Sequence, residues 1–264
     1  MLLQVELGVL GAMVVVMIAA WAFGLAVKNG GWTDVFWTWG TGLILAAAAL
    51  YPFSPPDIAP RQALVAAFMA VWALRLGLYL TPRVASHGED PRYAAFRDQW
   101  GRRYPLNMLF VTLPQAPATA LLGLSVVLAS HRPHPGLDVR DYLGVAVFIA
   151  AILGETVSDG QMKAFREDPA NKGQVIETGL WAWSRHPNYF FQWLGWCAYP
   201  VIALEPSRPV TWLSLAAPAV MYGLLRYVSG VPPLEAAMLK SRGDKFRDYQ
   251  RRVSVFFPTP PKRA

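Results

Sequence analysis

Cysteine and charged side chains are both scarce in this sequence. Cys197 is the single cysteine among 264 residues, so the chain can form neither an internal disulfide nor a cysteine-based zinc site. The four histidines show no helical pairing with nearby carboxylates, and the sequence therefore predicts no metal site. Charged residues make up 16% of the chain and hydrophobic residues 54%, a balance that excludes an ordinary soluble domain.

Several sequence signatures are also missing. The chain has neither a glycine-rich dinucleotide fingerprint nor a Walker motif, so any nucleotide must bind outside a Rossmann or P-loop site. No small-residue cleavage site follows the first apolar run, which predicts that this run is retained rather than removed as a signal peptide. The two halves show no repeat symmetry, and this argues against a transporter.

What the sequence does contain is a series of apolar runs. Each has about 20 residues, the length that a helix needs to cross the hydrocarbon core of a bilayer. Together with a mean hydropathy of +0.29 for the whole chain, these runs predict an all-α, polytopic integral membrane helix bundle in a single domain, residues 1–264. We expect about seven transmembrane helices. The predicted spans are 5–27, 32–51, 62–81, 106–130, 142–163, 187–204 and 210–228.

Basic residues fall mostly on one side of these spans. If the N-terminus is outside, 18 of the 24 Lys and Arg residues face the cytoplasm, and Arg61, Arg132, Arg140 and Arg208 face the other side. Cytoplasmic loops are enriched in Lys and Arg, so we expect an outside N-terminus and a cytoplasmic C-terminus. This distribution explains the net charge of +7 without nucleic acid. The cytoplasmic side also collects three polar segments, 87–104, 155–188 and 235–252.

The segment 184–193 concentrates a cation, an imidazole, two amides and a phenol beside an apolar run. Pro187 suits the first turn of a helix, and the free N–H groups and positive dipole end of that turn favour a bound anion. The alternative is an interfacial cap. In that case Arg185 and His186 meet lipid headgroups, while Tyr189 and Trp193 form an aromatic belt.

Two further groups of residues share a helix face. Glu155, Asp159 and Arg166 recur at helical spacing at the cytoplasmic end of the fifth span. An ionisable residue at the depth of Glu155 indicates a functional site by default, although a structural ion pair with Arg226 or Arg75 is the alternative. Arg75 and Tyr79 are likewise four residues apart, and Tyr79 is either a proton donor to a substrate carbonyl or an interfacial tyrosine.

The other two polar segments offer charged and aromatic groups. Arg92, Tyr93 and Arg97 would suit a phosphate-rich ligand, because arginine binds phosphate bidentately, or they belong to a solvated loop held by ion pairs. Glu235 and Tyr249 are candidates to close over a bound cofactor. The basic, amphipathic stretch 240–252 is also typical of a helix that lies on anionic lipid.

Several of these motifs together resemble a known family. The stretches 159–166, 179–181, 184–189 and 249–258, with the 87–93 loop, are similar to a group of bacterial membrane proteins classed with the steroid 5-alpha-reductases and sterol reductases. The likeness covers roughly residues 70–260. It implies that spans in 1–70 precede a reductase-like region, 71–260, which encloses NADPH from the cytoplasmic side. It also implies that Asp159, Arg166, Asn188 and Tyr189 contact NADPH.

The sequence departs from the family pattern at two places. Phe191 and Gln192 stand where the family usually has Gly-Glu, and a glutamine can hold a carboxamide but cannot carry charge or pass a proton. Residues 51–54 lack the Gln-Glu pair that holds the ketone in steroid reductases. These departures argue against a steroid itself as the substrate.

The Arg-His-Pro-x-Tyr motif is also similar to that of the isoprenylcysteine carboxyl methyltransferases, which bind S-adenosylmethionine in a comparable bundle. Asp159, Arg166 and the 87–93 loop favour the reductases. A non-enzymatic lipid-binding scaffold is the third alternative, and it predicts that neither cofactor binds.

We therefore expect a reductase of the bacterial inner membrane that uses NADPH to reduce an activated carbon–carbon double bond. The substrate would be a hydrophobic enone, steroid-like or otherwise lipid-like, that enters from the bilayer, and no obligate protein partner is expected. Tyr79 or Tyr189 would donate the proton, and Glu155 is the third candidate catalytic residue. The residues expected to bind the cofactor are Arg92, Tyr93, Arg97, Asp159, Arg166, Arg185, His186, Asn188, Tyr189, Gln192, Glu235 and Tyr249.

Overall fold

The computed structural model describes residues 2–52, 59–86, 88–89, 91–134 and 136–262, without the side chains of Pro91 and Arg92. Every regular element in these ranges is helical, and Ser184 and Ser254 form an isolated bridge. The prediction of an all-α, polytopic membrane helix bundle is confirmed. The helices are α1 (Leu2–Ala26), α2 (Trp32–Leu50), α3 (Pro60–Ser86), α4 (Pro91–Trp100), α5 (Tyr104–Thr112), α6 (Gln115–Ser130), α7 (Val139–Glu167), α8 (Pro187–Ala203), α9 (Ala216–Gly223), α10 (Val231–Arg242) and α11 (Asp244–Arg252).

Five helical stretches in the described ranges are long and apolar enough to cross a membrane. They are α1, α2, α3, the run from Tyr93 to Ser130 and α7. The predicted sixth span corresponds to α8, which has 17 residues and contains Pro200. The predicted seventh consists of a 3₁₀ helix, Pro209–Leu215, followed by α9 and a π-helical turn, Leu224–Val228. The expected count of about seven thus exceeds these five by two shorter or irregular C-terminal segments.

The chain forms two compact units. The first unit comprises Met1–Asp141 and Tyr199–Ala217, and the second comprises Tyr142–Ala198 and Pro218–Ala264. The predicted division of one domain near residue 70 stays a prediction.

Small residues allow close helix packing in the first unit. A Cβ atom placed on Gly42 of α2 would lie 2.2 Å from the Cβ of Ala73 on α3, so only glycine fits this crossing. Met13, Met17 and Ala116 form a fully buried cluster between α1 and α6. The Trp37 indole donates a hydrogen bond of 3.0 Å to the Thr119 hydroxyl, which satisfies a polar group inside an apolar bundle.

A buried ion pair ties the start of α3 to the start of α7. The Arg61 guanidinium donates to both carboxylate oxygens of Asp141, at 2.7 and 2.8 Å, and both side chains are almost fully buried. Arg61 also donates to backbone carbonyls, including that of Arg132 at 2.9 Å. This bidentate geometry with extra acceptors is what a desolvated charge pair requires.

In the second unit, α7 and α8 pack as an antiparallel pair. Asp159 contacts Asn188, a Cβ on Gly154 would lie 2.3 Å from the Phe191 ring, and one on Gly195 would lie 3.6 Å from Ala151. Residue numbers therefore fall along α7 as they rise along α8. Because glycine removes side-chain bulk at the crossing, the two backbones approach closely.

Candidate functional site

The candidate site in the second unit begins with a network around Glu235 of α10. Its carboxylate accepts hydrogen bonds from Arg185 Nε at 2.7 Å and from Gln250 Nε2 of α11 at 2.7 Å. His186 Nε2 lies 3.2 Å from the same carboxylate. Arg185 also donates to the backbone carbonyls of Gln250 and Val253. The chain itself thus supplies partners for the cation, imidazole and carboxylate that the sequence assigned to a cofactor.

The electrostatics of this network follow from its burial. Burial alone would raise the pKa of Glu235, but hydrogen bonds from His186, Arg185 and Gln250 outweigh it and lower the pKa to about 2. Burial lowers the pKa of His186 below its usual value, because the imidazolium would lose its hydration, although Glu235 acts in the opposite direction. Glu235 is therefore ionised at neutral pH.

The C-terminal segment is fastened to the residues before α8. Ser184 donates its hydroxyl hydrogen to the carbonyl of Phe256 at 2.8 Å, and the Arg185 N–H donates to the carbonyl of Ser254 at 2.8 Å. The buried Tyr249 hydroxyl donates to the carbonyl of Trp181 at 2.5 Å. Burial also raises the pKa of this phenol. Ser184, Arg185 and Tyr249 thus serve the packing of α11 against the segment that precedes α8.

Asn188 and Tyr189 lie in the first turn of α8, which begins at Pro187 as predicted. The Asn188 amide donates to the Asp159 carboxylate at 3.2 Å, and its oxygen accepts the N–H of Tyr189 at 3.1 Å. The Tyr189 ring stacks on the His186 imidazole, with centroids 5.5 Å apart and planes 10° apart. The structure therefore brings these four predicted residues together.

A second pair of polar residues lies one helical turn deeper between α7 and α8. Glu155 and Gln192 are both buried, with 6% and 7% of their surfaces exposed. The antiparallel register that pairs Asp159 with Asn188 and Gly154 with Phe191 puts Glu155 and Gln192 at the same level. The α7–α8 pair therefore carries a polar ladder, defined as Asp159 and Asn188 at its end and Glu155 and Gln192 inside. Arg166 is exposed in the last turn of α7.

The other predicted site residues belong to the first unit. Tyr79 is 37% exposed on α3, and the Arg75 guanidinium lies 5.9 Å from its ring centroid. Tyr93 donates its hydroxyl hydrogen to Asp34 at 3.0 Å. Arg97 donates to both oxygens of Glu89, at 3.0 and 2.8 Å. The side chain of Arg92, like His87 and Asp90 of the same loop, lies outside the described residues.

The sequence analysis gave no role of their own to two residues that the structure makes prominent, although it included one of them, Glu89, in the 87–93 loop that ion pairs could hold. Glu89 accepts the Gly30 N–H at 2.8 Å in addition to Arg97, and these bonds lower the pKa of its carboxyl although burial opposes them. Glu89 lies eight residues before Arg97 and precedes α4, the helix that carries Arg97, so no helical spacing relates the two residues and the sequence did not predict this particular ion pair. The Glu6 carboxylate is buried on α1, and none of the described residues hydrogen-bonds to it. The feature of the sequence that could have pointed to Glu6 is that it is a lone charged residue inside the first apolar run.

Comparison with known proteins gives the chain a family. The family described as "Protein of unknown function (DUF1295)" matches residues 20–253. The Schizosaccharomyces pombe "Uncharacterized protein C594.04c" is 24% identical over 229 residues, which cover 76% of this chain and 65% of the yeast protein. A second protein of this yeast, "Uncharacterized protein C9.08c", is 27% identical over 110 residues, or 36% of this chain and 39% of its own length.

The chain spans less than two thirds of the length of either yeast relative. No solved structure matches it significantly. Because the family match extends over residues 20–253, most of the sequence, this chain belongs to the DUF1295 family.

Proposed function

We propose that this protein is an integral-membrane enzyme that uses NADPH to reduce an activated carbon–carbon double bond in a hydrophobic substrate. The observation that carries the proposal is the polar ladder between α7 and α8. Carboxylate and amide groups are expensive inside an apolar bundle unless they are paired or serve a ligand. Two such levels on facing helices, with one end of the ladder half-exposed, suit a ligand that enters from the aqueous side.

The residues of the ladder fit a nicotinamide cofactor by their chemistry. A primary carboxamide needs both a donor and an acceptor, and the Asp159–Asn188 pair offers both, since Asn188 Nδ2 carries a second hydrogen beyond the one given to Asp159. Arg166 lies seven residues, or about two helical turns, from Asp159, and a guanidinium binds phosphate bidentately. No described residue forms an ion pair with Arg166, so its charge is available.

The deeper level would provide the acid–base groups. When bound, NADPH supplies the hydride, and the protein must polarise the conjugated carbonyl and deliver a proton. Gln192 can orient an amide or carbonyl through hydrogen bonds but cannot transfer a proton. Glu155, at the same level of the α7–α8 pair, and Tyr189, at the mouth, are two groups beside Gln192 and Asn188 that can.

Binding of the two candidate cofactors tests the proposal directly. Purified protein in detergent is titrated with NADPH and, separately, with S-adenosylmethionine, and each dissociation constant is measured by calorimetry. We expect binding of NADPH alone. Binding of S-adenosylmethionine without NADPH would overturn the proposal in favour of a methyltransferase, and binding of neither would favour a lipid-binding scaffold.

Asn188→Ala separates a cofactor contact from a helix cap. Loss of one or two buried hydrogen bonds to the nicotinamide amide should weaken NADPH binding by about tenfold to a hundredfold. The melting temperature should fall less, because an N-terminal helix position loses about 1 kcal/mol on substitution by alanine. Asn107→Ala, on α5 in the first unit, is the matched control and should change neither quantity.

If Asn188 only caps α8 through its contacts with Asp159 and Tyr189, the melting temperature of Asn188→Ala falls and its NADPH affinity does not. That result would remove the polar ladder from the cofactor site.

A further inference from the structure

A cavity of about 360 Å³ lies in the first unit, beside the end of α1 and the start of α5. Three cationic side chains line it, those of Lys28, Arg97 and Arg102. The remaining wall is apolar or aromatic and includes Leu25, Tyr104 and Pro105. Cationic and apolar side chains in one lining suit an amphipathic anion.

Arg97 is held rigidly in this wall. Glu89 accepts both hydrogen bonds of its guanidinium fork, and the guanidinium carbon lies 4.2 Å from the Tyr104 ring centroid. Glu89 is itself fixed by the Gly30 N–H. The arginine therefore meets a ligand in a preorganised orientation, so little further side-chain entropy is lost on binding.

Lys28 and Arg102 are exposed, and no described carboxylate pairs with either of them. Lys28 has a φ angle of 55°, a left-handed conformation that glycine usually occupies. It stands at the C-terminal turn of α1, where its N–H bonds to the Leu25 carbonyl and the Asn29 N–H bonds to the Gly24 carbonyl. A strained lysine where glycine would be easier points to a use for the side chain. The cavity therefore carries more positive than negative charge.

Aromatic side chains beside the cavity indicate its depth in the bilayer. Trp21 donates its indole N–H to the Pro105 carbonyl at 2.8 Å, and Phe96 stacks on Trp100 with ring centroids 4.5 Å apart. All three rings pack against Tyr93, Tyr104 and Met108. Tryptophan and tyrosine are enriched at the ends of membrane-spanning helices, so these rings indicate that the cavity lies at the level of the lipid headgroups.

We propose that this cavity binds the phosphate headgroup of an anionic phospholipid. Lys28 and Arg102 would neutralise the phosphate, and Arg97, which Glu89 holds in place, would donate to it through its remaining N–H groups. Leu25 and Pro105 would contact the glycerol end of the acyl chains. Basic pockets beside transmembrane helices are suited to this chemistry. The site lies wholly in the first unit, and the proposal does not rest on NADPH binding.

The test uses the full chain in nonionic detergent with short-chain lipids. We measure by thermophoresis the affinity for dioctanoyl-phosphatidylglycerol, for dioctanoyl-phosphatidylcholine and for inorganic phosphate. Wild-type protein should prefer phosphatidylglycerol to phosphatidylcholine by at least about tenfold. Lys28→Gln with Arg102→Gln should abolish that preference. The control, Arg103→Gln with Lys172→Gln, removes the same charge from outside the cavity and should keep it.

The variant Lys28→Gly controls for loss of binding through misfolding, because glycine adopts the φ angle of 55° without strain. This variant should retain the wild-type melting temperature or exceed it, yet bind phosphatidylglycerol several-fold more weakly. Equal losses in the cavity and control variants would overturn the proposal, since the attraction would then be a general surface effect. Displacement of the lipid by equimolar inorganic phosphate would also overturn it, because the cavity would then take a free phosphate.

Discussion

The side chains around Glu235 suit a bound cofactor when only the sequence is known. In the structure they hydrogen-bond to one another and to the backbone. Arg185, His186 and Glu235 have the chemistry of a binding site, yet each has partners within the chain. The sequence analysis assigned all three to cofactor binding, and that assignment stays a prediction. The sequence could not show that Gln250 and the carbonyl of Val253 complete the network, because those partners lie more than sixty residues from Arg185 along the chain.

Acidification should destabilise the second unit through this network. A carboxyl whose pKa falls from 4.5 to about 2 on folding contributes stability above pH 4.5 that is lost as the pH falls toward 2. The shift corresponds to about 3 kcal/mol. His186 acts earlier, because its pKa lies below 6.5 in the folded chain, so the unfolded chain takes up the proton first and stability falls below pH 6.5.

Melting temperatures measured in detergent from pH 7 to pH 2 check this prediction. Glu235→Gln should reduce the pH dependence between 4.5 and 2, while the contribution of Glu89, whose pKa is also lowered, remains. Glu167→Gln, an exposed carboxyl on α7, should leave the profile unchanged. A Glu235→Gln profile parallel to that of the wild type would contradict the assigned role.

At the scale of helices, the α7–α8 crossing depends on one glycine. Gly154→Ala would place a Cβ 2.3 Å from the Phe191 ring, so the helices must separate or the ring must move, at a cost of about 1–3 kcal/mol. Gly160 lies on the same helix with nothing within 4 Å of its Cβ position. Gly160→Ala should therefore stabilise the protein by up to about 1 kcal/mol.

Thermal unfolding of the two glycine variants, measured side by side, checks the register. Gly154→Ala should also weaken NADPH binding, since separation of the helices moves Asn188 away from Asp159. Equal stabilities for the two variants would mean that the helices do not cross at Gly154.

The C-terminal helices show a limit of pattern reasoning at this scale. The stretch 240–252 was expected to lie on lipid because it is basic and amphipathic. In the structure Phe246 and Tyr249 of α11, together with Val253 just after it, are buried against Val175 and Met238 of the same unit. Amphipathicity predicts that a face is covered but does not say whether lipid or protein covers it.

At the scale of the whole molecule, the charge distribution predicts the orientation in the membrane. Lys172 should face the cytoplasm and Arg208 the opposite side. In a Cys197→Ser background, a membrane-impermeant maleimide added to intact cells should label Arg208→Cys. It should label Lys172→Cys only after the membrane is permeabilised. The reverse pattern would invert the predicted topology.

The sequence by itself determined that the protein is an all-helical membrane protein, because the length and apolarity of a span are local properties that the bilayer imposes. It also determined where α8 begins, since Pro187 acts within one turn. The tertiary structure decided which polar residues meet. The Asp159–Asn188 contact depends on glycine-mediated packing between distant helices, and the partners of Glu235 depend on how the chain returns after α9. Such contacts arise from the packing of distant segments, which no local pattern encodes.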